Sequence, residues 1–420
     1  MKNIYYGIQG EFAKKNINNW INITGAPEAF VVKDEKLLNF KTGFQGYDVI
    51  SLGEALNRYP GAEIWITYNN NKDAKSAASD ILTKVKPERI HFLEVNLEYR
   101  KGCNRLGRSL HYETKRIPMC TVGNRSRPMM YTKGSVTDII AEWQEYSKKL
   151  ILANQLESPN KCYGCPLMKY GFYDTPGLRN LRFLQSLRDD ACNLKCTYCS
   201  AAQSDKFAAN KNKEGPSVYD VIYAFSQMTE FVNMGKDFTI TFANGELCAN
   251  KHFDLIIDIL LANKWQIELL SNLSIYREKL ADFIHTGRVV KIITSIDAGT
   301  RETYKKIKKN DRFDVVVENL KKYPLHKTKF FLKYLFLEGI NDNEADIDGF
   351  YELAKESGAV IDISTDNKTN TKPFTENKRM RELVLRLIKK AKSDGIKVIA
   401  DENNINPIDV RFIAENYAKA

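Results

Sequence analysis

The stretch "DDACNLKCTYCS", residues 189–200, carries three of the chain's eight cysteines at the spacing Cys192-x3-Cys196-x2-Cys199. The chain lacks the basic start and apolar run of a secretory signal, so its expected location is the cytoplasm. In a reducing compartment, clustered thiols read as metal ligands or catalysts rather than as disulfide partners. A structural zinc site is closed by four ligands, commonly two Cys-x2-Cys pairs. Pairing Cys162-x2-Cys165 with Cys196-x2-Cys199 spans 30 intervening residues and leaves Cys192 unused. A fully ligated 4Fe-4S cluster takes four thiolates. Three leave one iron open, and an open coordination position is a site for substrate or cofactor.

Outward from this stretch the sequence alternates regularly. Apolar runs at 181–188 (LRFLQSLR), 237–244 (DFTITFAN), 266–272 (QIELLSN), 289–297 (VVKIITSID), 328–338 (TKFFLKYLFLE) and 359–366 (AVIDISTD) read as strands. Amphipathic segments at 217–234, 274–286, 312–323 and 343–358 read as helices between them. A further helix, a strand (IKVIAD) and a last helix follow. Six strand–helix units in series predict a partial parallel (β/α)6 barrel over 178–420, with the cysteines in the loop after its first strand. Active sites of such sheets lie at the C-terminal ends of the strands.

"CNLKCTYC" resembles the C-x3-C-x-aromatic-C signature of the radical S-adenosylmethionine (SAM) enzymes, with Tyr198 as the aromatic. The resemblance implies a 4Fe-4S cluster on Cys192, Cys196 and Cys199 whose open iron binds SAM. Reductive cleavage of SAM then gives a 5′-deoxyadenosyl radical that takes a hydrogen atom from the substrate, the protein supplying position and protection. Other strand ends match in turn. "FANGELC" resembles the family's Gly-Gly-Glu motif, with Asn244 in place of the first glycine, then Gly245 and Glu246 toward the SAM amino group. Asn272 in "LLSN" takes a ribose-facing position. "TSIDAGTRETYKKI" matches a Ser-x-Asp pattern, with Ser295 and Asp297 near ribose or substrate. Arg301 or Lys333 would pair the SAM carboxylate. "LFLEGINDNE" resembles the stretch whose backbone reads adenine, around Leu337 and Gly339. Alone, Glu246 or Asp297 would read as a helix N-cap. Their recurrence at successive strand ends favours the functional reading.

Upstream, residues 1–96 alternate as a small βαβαβ pattern, through AFVVKD, YDVIS, AEIWITYN and RIHFLEV, and predict a degenerate Rossmann-like domain. "YGIQGEF" offers Gly7 and Gly10 without a full G-x-G-x-x-G, and Asp34 sits where a ribose-binding carboxylate would lie. A structural or partner-docking domain is the competing reading. Residues 97–177 read as irregular and cysteine-bearing, apart from a helix over 135–155 with Ser135 as its N-cap. Cys103, Cys120, Cys162 and Cys165 there resemble a SPASM/twitch auxiliary-cluster module, which implies a second 4Fe-4S cluster. Zinc on the same thiols, or unliganded core cysteines, are the alternatives. Cys248, beside Glu246, reads as a small buried residue, or else as a substrate-facing thiol. His252 reads as a surface or core residue.

The net charge of +11 would suit an acidic partner, but the lysines are dispersed and not interleaved with aromatics. A nucleic-acid partner is therefore not favoured, a nucleic-acid modifying enzyme standing as a reading prompted by the charge alone; no apolar run is long enough to cross a bilayer, so a membrane partner is not expected. The expected partners are a small-molecule or peptide substrate and an acidic flavodoxin- or ferredoxin-type electron donor. A nucleotide-linked or sugar-like small molecule is favoured as substrate, with Asp366, Asn367 and Lys368 as contacts. A peptide-modifying maturase, an activase of a partner protein and a non-catalytic iron–sulfur redox sensor are the alternatives.

Overall fold

The computed structural model describes residues 2–7, 10–32, 44–95, 97–103, 106–112, 116–118, 129–131, 134–158, 162, 165, 168–174, 177–188, 192–199, 216–232, 234–365, 373–400 and 405–419. Asp34, Cys120, Asp366, Asn367 and Lys368, singled out above, lie outside these residues. The chain divides into two units. One comprises residues 1–108 and 146–180, the other residues 109–145 and 181–420. The division runs through the stretch 97–177 instead of bounding it.

The first unit is built on β1 (Asn3–Tyr6), α1 (Gly10–Thr24), β2 (Ala29–Val31), β3 (Val49–Ile50), α2 (Leu52–Arg58), β4 (Glu63–Ile66), α3 (Asn71–Ile81) and β5 (Ile90–Phe92). Its strands form one parallel sheet in the order β3-β2-β1-β4-β5. That order, with strand positions growing outward from β1 in both directions, is doubly wound. Alternation along the strands splits the core in two. Ile4, Tyr6, Val31 and Ile64 pack with Ala55, Ala74, Ala78 and Ile81 of α2 and α3. Tyr5 and Phe30 pack with Ala13, Ile17 and Trp20 of α1 on the other face. Gly7 follows β1 at φ +98°, and a Cβ there would lie 2.5 Å from the Tyr68 ring. Close packing of an aromatic ring thus accounts for this glycine without any phosphate.

The stretch 97–177 holds more regular structure than its sequence suggests: β6 (Leu97–Gly102), β7 (Ser109–His111), β8 (Arg116–Pro118), β9 (Met129–Tyr131), α4 (Val136–Gln155) and β10 (Lys169–Asp174). β6 and β10 form an antiparallel ribbon with Gly102 opposite Lys169, and β8 pairs with β9.

The second unit runs β11 (Phe183–Arg188), α5 (Val218–Ser226), β12 (Thr239–Asn244), α6 (Phe253–Ala262), β13 (Gln266–Leu270), α7 (Glu278–His285), β14 (Val289–Ser295), α8 (Arg301–Lys308), α9 (Phe313–Lys322), β15 (Lys329–Phe336), α10 (Glu344–Ser357), β16 (Val360–Thr365), α11 (Lys378–Ser393), β17 (Val398–Ala400) and α12 (Pro407–Lys419). The six expected strands lie in one parallel sheet with two more at its edges, in the order β17-β16-β15-β14-β13-β12-β11-β7. An all-parallel sheet of eight strands fits a partial barrel. The added strand β7 pairs with β11, Leu110 opposite Leu184, and the Trp143 indole of α4 donates to the Ser109 carbonyl at 3.0 Å. Among the described residues no helix is long and apolar enough to cross a membrane.

Two local devices set the loops at the C-terminal strand ends. Ser217 and Asp220 form a capping box that starts α5. After β14, the buried Asp346 carboxylate of α10 accepts from Gly299 N, Thr300 N and Thr300 Oγ1, each at 3.0 Å. A Cβ on Gly299 would lie 2.1 Å from the Asp346 carbonyl oxygen, and one on Gly349 would lie 2.2 Å from the Gly299 carbonyl oxygen. Two backbones touch here, and only glycine on each permits it.

Candidate metal and cofactor site

The cysteine loop follows β11 at the C-terminal edge of the sheet. Cys196 and Cys199 are half-buried and Cys192 is exposed. The loop is fixed by backbone: Lys195 N donates to Lys308 O at 3.2 Å and Thr197 N to Ile307 O at 2.9 Å, which ties it to the last turn of α8. Cys199 N closes a turn on Cys196 O at 3.1 Å. Side chains clamp both flanks. Asn193 donates to Ser274 Oγ at 2.7 Å and accepts from Asn272 Nδ2 at 3.0 Å, while Asn310 holds its carbonyl at 3.0 Å.

On the other flank, Tyr198 donates to Asp297 Oδ2 at 2.7 Å and accepts from Lys308 Nζ at 2.8 Å. Its ring packs against Ile307, Leu335 and Leu337. Asp297 and Lys308 form a buried ion pair; their side chains are 0% and 2% exposed. Lys308 Nζ also donates to Ser295 O at 2.6 Å, and Leu335 N to Asp297 Oδ1 at 2.8 Å. Asp297 sits at φ +57°, a left-handed conformation that its short polar side chain tolerates. Asn341, fully buried, ties the ends of β14 and β15 together, donating to Asp297 O and Leu335 O at 2.8 Å each and accepting from Leu337 N at 2.7 Å. Gly339 beside it takes φ +72°.

The Glu246 loop meets the same network from β12. Left-handed backbone falls on Gly245 (φ +82°), directly after Asn244, the last residue of β12. The Glu246 carboxylate is fully buried. It accepts from Asn272 N at 2.7 Å, Ser271 Oγ at 3.0 Å and Cys248 N at 3.1 Å. Burial pushes its pKa above the usual carboxylate value, and the Asn272 and Cys248 amides oppose that shift. Cys248 is buried rather than substrate-facing, with its thiol raised by burial and by Glu246. Asn272 is engaged with Asn193 and Ser274 of the cysteine-loop wall. Arg301 is exposed, paired with Asp311 at 2.8 Å and Asp314 at 3.1 Å. Lys333 lies between Ser295 and Asp362 in register.

Sequence reasoning passed over Asn193, Ser271, Lys308 and Asn341. Lys308 left a signal: it falls on the buried stripe of α8 with Tyr304 and Ile307, where a lysine needs a partner.

The donor set fits an iron–sulfur cluster. Three thiols share one loop, and Cys192 lies within electrostatic reach of both Cys196 and Cys199. Although Cys192 presents surface, the dense chain around it desolvates the thiol, and burial pushes both Cys192 and Cys196 up. Metal ligation is the ordinary route by which such thiols ionise. Among the described residues no three His, Cys, Asp or Glu side chains are drawn to metal-binding spacing, so the fit rests on donor chemistry and loop position.

In the first unit, Cys103 directly follows β6, and Cys162 and Cys165 precede β10, so the ribbon brings them to one end. Cys165 N closes a turn on Cys162 O at 3.0 Å. Arg100 of β6, within electrostatic reach of Cys103, is 2% exposed; its Nη2 donates to Asp174 O at 2.9 Å and its Nε lies 3.9 Å from Glu98, while Nε and Nη1 lack hydrogen-bond partners among the described residues.

Residues 190–354 match the model of the Radical SAM superfamily. No curated protein matches the chain. Solved structures with similarity include Streptococcus suis SuiB bound to S-adenosylmethionine, at 10% identity over 52% of this chain and 50% of that one, TM-score 0.40. A radical SAM methyltransferase from Sphaerobacter thermophilus is 16% identical over 50% and 63%, TM-score 0.34. Native anSMEcpe with bound AdoMet is 17% identical over 51% and 63%, TM-score 0.36. The chain thus spans about half the length of the first of these.

Proposed function

From a radical SAM domain over residues 190–354, we propose that this protein is an enzyme that binds a 4Fe-4S cluster on Cys192, Cys196 and Cys199 and S-adenosylmethionine beside it. When bound, the pair supplies a 5′-deoxyadenosyl radical that takes hydrogen from a substrate. The observation that carries the reading is the cysteine loop at the end of β11, clamped through Asn193 to the end of β13 and through Tyr198 to the end of β14. Glu246, Asn272, Ser295, Asp297, Leu337 and Gly339 line these strand ends. Most of their polar groups hold the loop and one another, so their part toward SAM is to fix the shape of the wall.

A nucleotide-linked or sugar-like small molecule is the favoured substrate, supported by the doubly wound order of the first unit's sheet. A peptide is the alternative. Electrons would come from a flavodoxin- or ferredoxin-type donor. A second metal centre, on Cys103, Cys120, Cys162 and Cys165, is favoured by the end of the β6–β10 ribbon that Cys103 shares with Cys162 and Cys165. The buried Arg100 guanidinium would balance the negative charge of such a thiolate centre.

The test is iron and sulfide content after anaerobic reconstitution, with EPR of the reduced protein with and without SAM. The Cys192, Cys196 and Cys199 triple alanine variant is run beside the wild type. About four irons lost in the variant, together with its SAM-induced EPR change, would establish the site; about four retained would establish the second cluster. Zinc in place of iron would overturn the proposal.

A further inference from the structure

We infer that Lys75, Arg100 and Arg108 form a phosphate-binding site in the first unit, gathered around Asp174 at the end of β10. The inference goes beyond the cluster reading and does not depend on it. Its ground is a balance of buried charge. The Asp174 side chain is 2% exposed, and two cations share its Oδ2: Lys75 Nζ of α3 at 2.5 Å and Arg108 Nε, from the turn before β7, at 3.3 Å. A third, Arg100 of β6, donates from Nη2 to the Asp174 carbonyl at 2.9 Å. Three positive side chains thus meet on one residue that carries a single negative charge. Glu98 lies 3.9 Å from Arg100 Nε but is half-exposed, so solvent weakens its hold.

A buried cation is costly unless it is paired and hydrogen-bonded. Here the donors outnumber the acceptors: Arg100 Nε and Nη1 and Arg108 Nε have no hydrogen-bond partner among the described residues. The chain makes room for this arrangement. The Arg100 guanidinium lies 5.1 Å from the centre of the Tyr173 ring, and a Cβ on Gly102 would come within 2.6 Å of Nη1. Only a glycine at 102 leaves the guanidinium its place. The cluster carries an excess of two positive charges, and a phosphate monoester at neutral pH carries about −1.5 to −2. Its oxygens also suit guanidinium forks set beside an ammonium. Lys75 and Arg108 are partly exposed and give the phosphate a way in.

The experiment is calorimetric titration of the whole reconstituted chain with inorganic phosphate, at constant ionic strength set with chloride. Wild type is compared with Lys75→Met, Arg108→Gln, Arg108→Lys and the combined Cys103→Ala, Cys162→Ala and Cys165→Ala variant. The expected result is saturable binding in wild type, weakened at least about tenfold in Lys75→Met and in Arg108→Gln. Arg108→Lys should fall between wild type and Arg108→Gln, because it keeps the charge and loses the fork. The cysteine variant should bind as wild type does. Absence of saturable binding in wild type overturns the inference, as does wild-type affinity in both Lys75→Met and Arg108→Gln. Phosphate binding confined to the cysteine variant would show that a metal centre is the anion these cations serve, and would overturn it too. Lys75 and Arg108 stand on different elements, so a variant that fails to fold leaves the other to decide. The titration needs neither SAM nor redox chemistry, so its failure leaves the cluster reading untouched, and a protein that loads no iron leaves this inference standing.

Discussion

Glu246 shows how a single side chain serves two demands. Its carboxylate is fully buried, a cost that two backbone amides and the Ser271 hydroxyl offset. In Glu246→Gln, the amide nitrogen would face one of these donors and leave it unpaired. The expected loss is about 1–3 kcal/mol of unfolding free energy, read by urea denaturation. Its pH dependence has a definite sign. Burial raises the folded pKa above the ordinary 4.5, so the folded state binds the proton more tightly than the unfolded state does. The stability this brings is full below the ordinary value and is lost as pH rises through the raised one. The wild-type advantage over Glu246→Gln should therefore be largest in acid and narrow toward neutrality; a gap that widens instead would contradict it.

At the scale of elements, the alternation from residue 180 onward was readable because each strand from β11 to β16 is a run of five to eight largely apolar residues between amphipathic helices. β1 was not, since "NIYY" is four residues long and only its pairing on both sides makes it a strand. α1 is rich in lysine and asparagine, and its apolar stripe of Ala13, Ile17 and Trp20 carries little signal without the sheet it covers. Of the site, the cysteines and the strand-end motifs were legible as types and spacings. Their partners were not, because whether Asn193 or Asn341 is a surface amide or a buried clamp depends on contacts more than 40 residues away in sequence. Two glycines show the same limit. Gly299 and Gly349 are unremarkable in sequence, yet the contact between the β14–α8 loop and α10 depends on both. Gly299→Ala should destabilise by at least about 1–3 kcal/mol. A melting temperature equal to wild type would show that the contact yields freely.

At the scale of the molecule, the barrel sheet recruits β7 from well before its first expected strand. A chain begun at residue 178 would keep the strand–helix series but lack β7, leaving the β11 edge unpaired. Unpaired edges template aggregation. Residues 178–420 alone are expected to be less soluble and to melt lower than residues 106–420, measured by gel filtration and thermal denaturation. Equal behaviour would mean that β7 contributes nothing to the sheet's edge.

The interleaved connectivity of the two units has a temporal side. The first unit is not complete until residue 180 has been made, and β11 begins 72 residues after β7 ends. At translation rates of about 5–20 residues per second, β7 emerges roughly 4–14 s before its partner exists. During that interval the nascent chain carries a short strand whose sheet partner has not yet been made. This is the window in which a ribosome-associated chaperone would matter most to this protein.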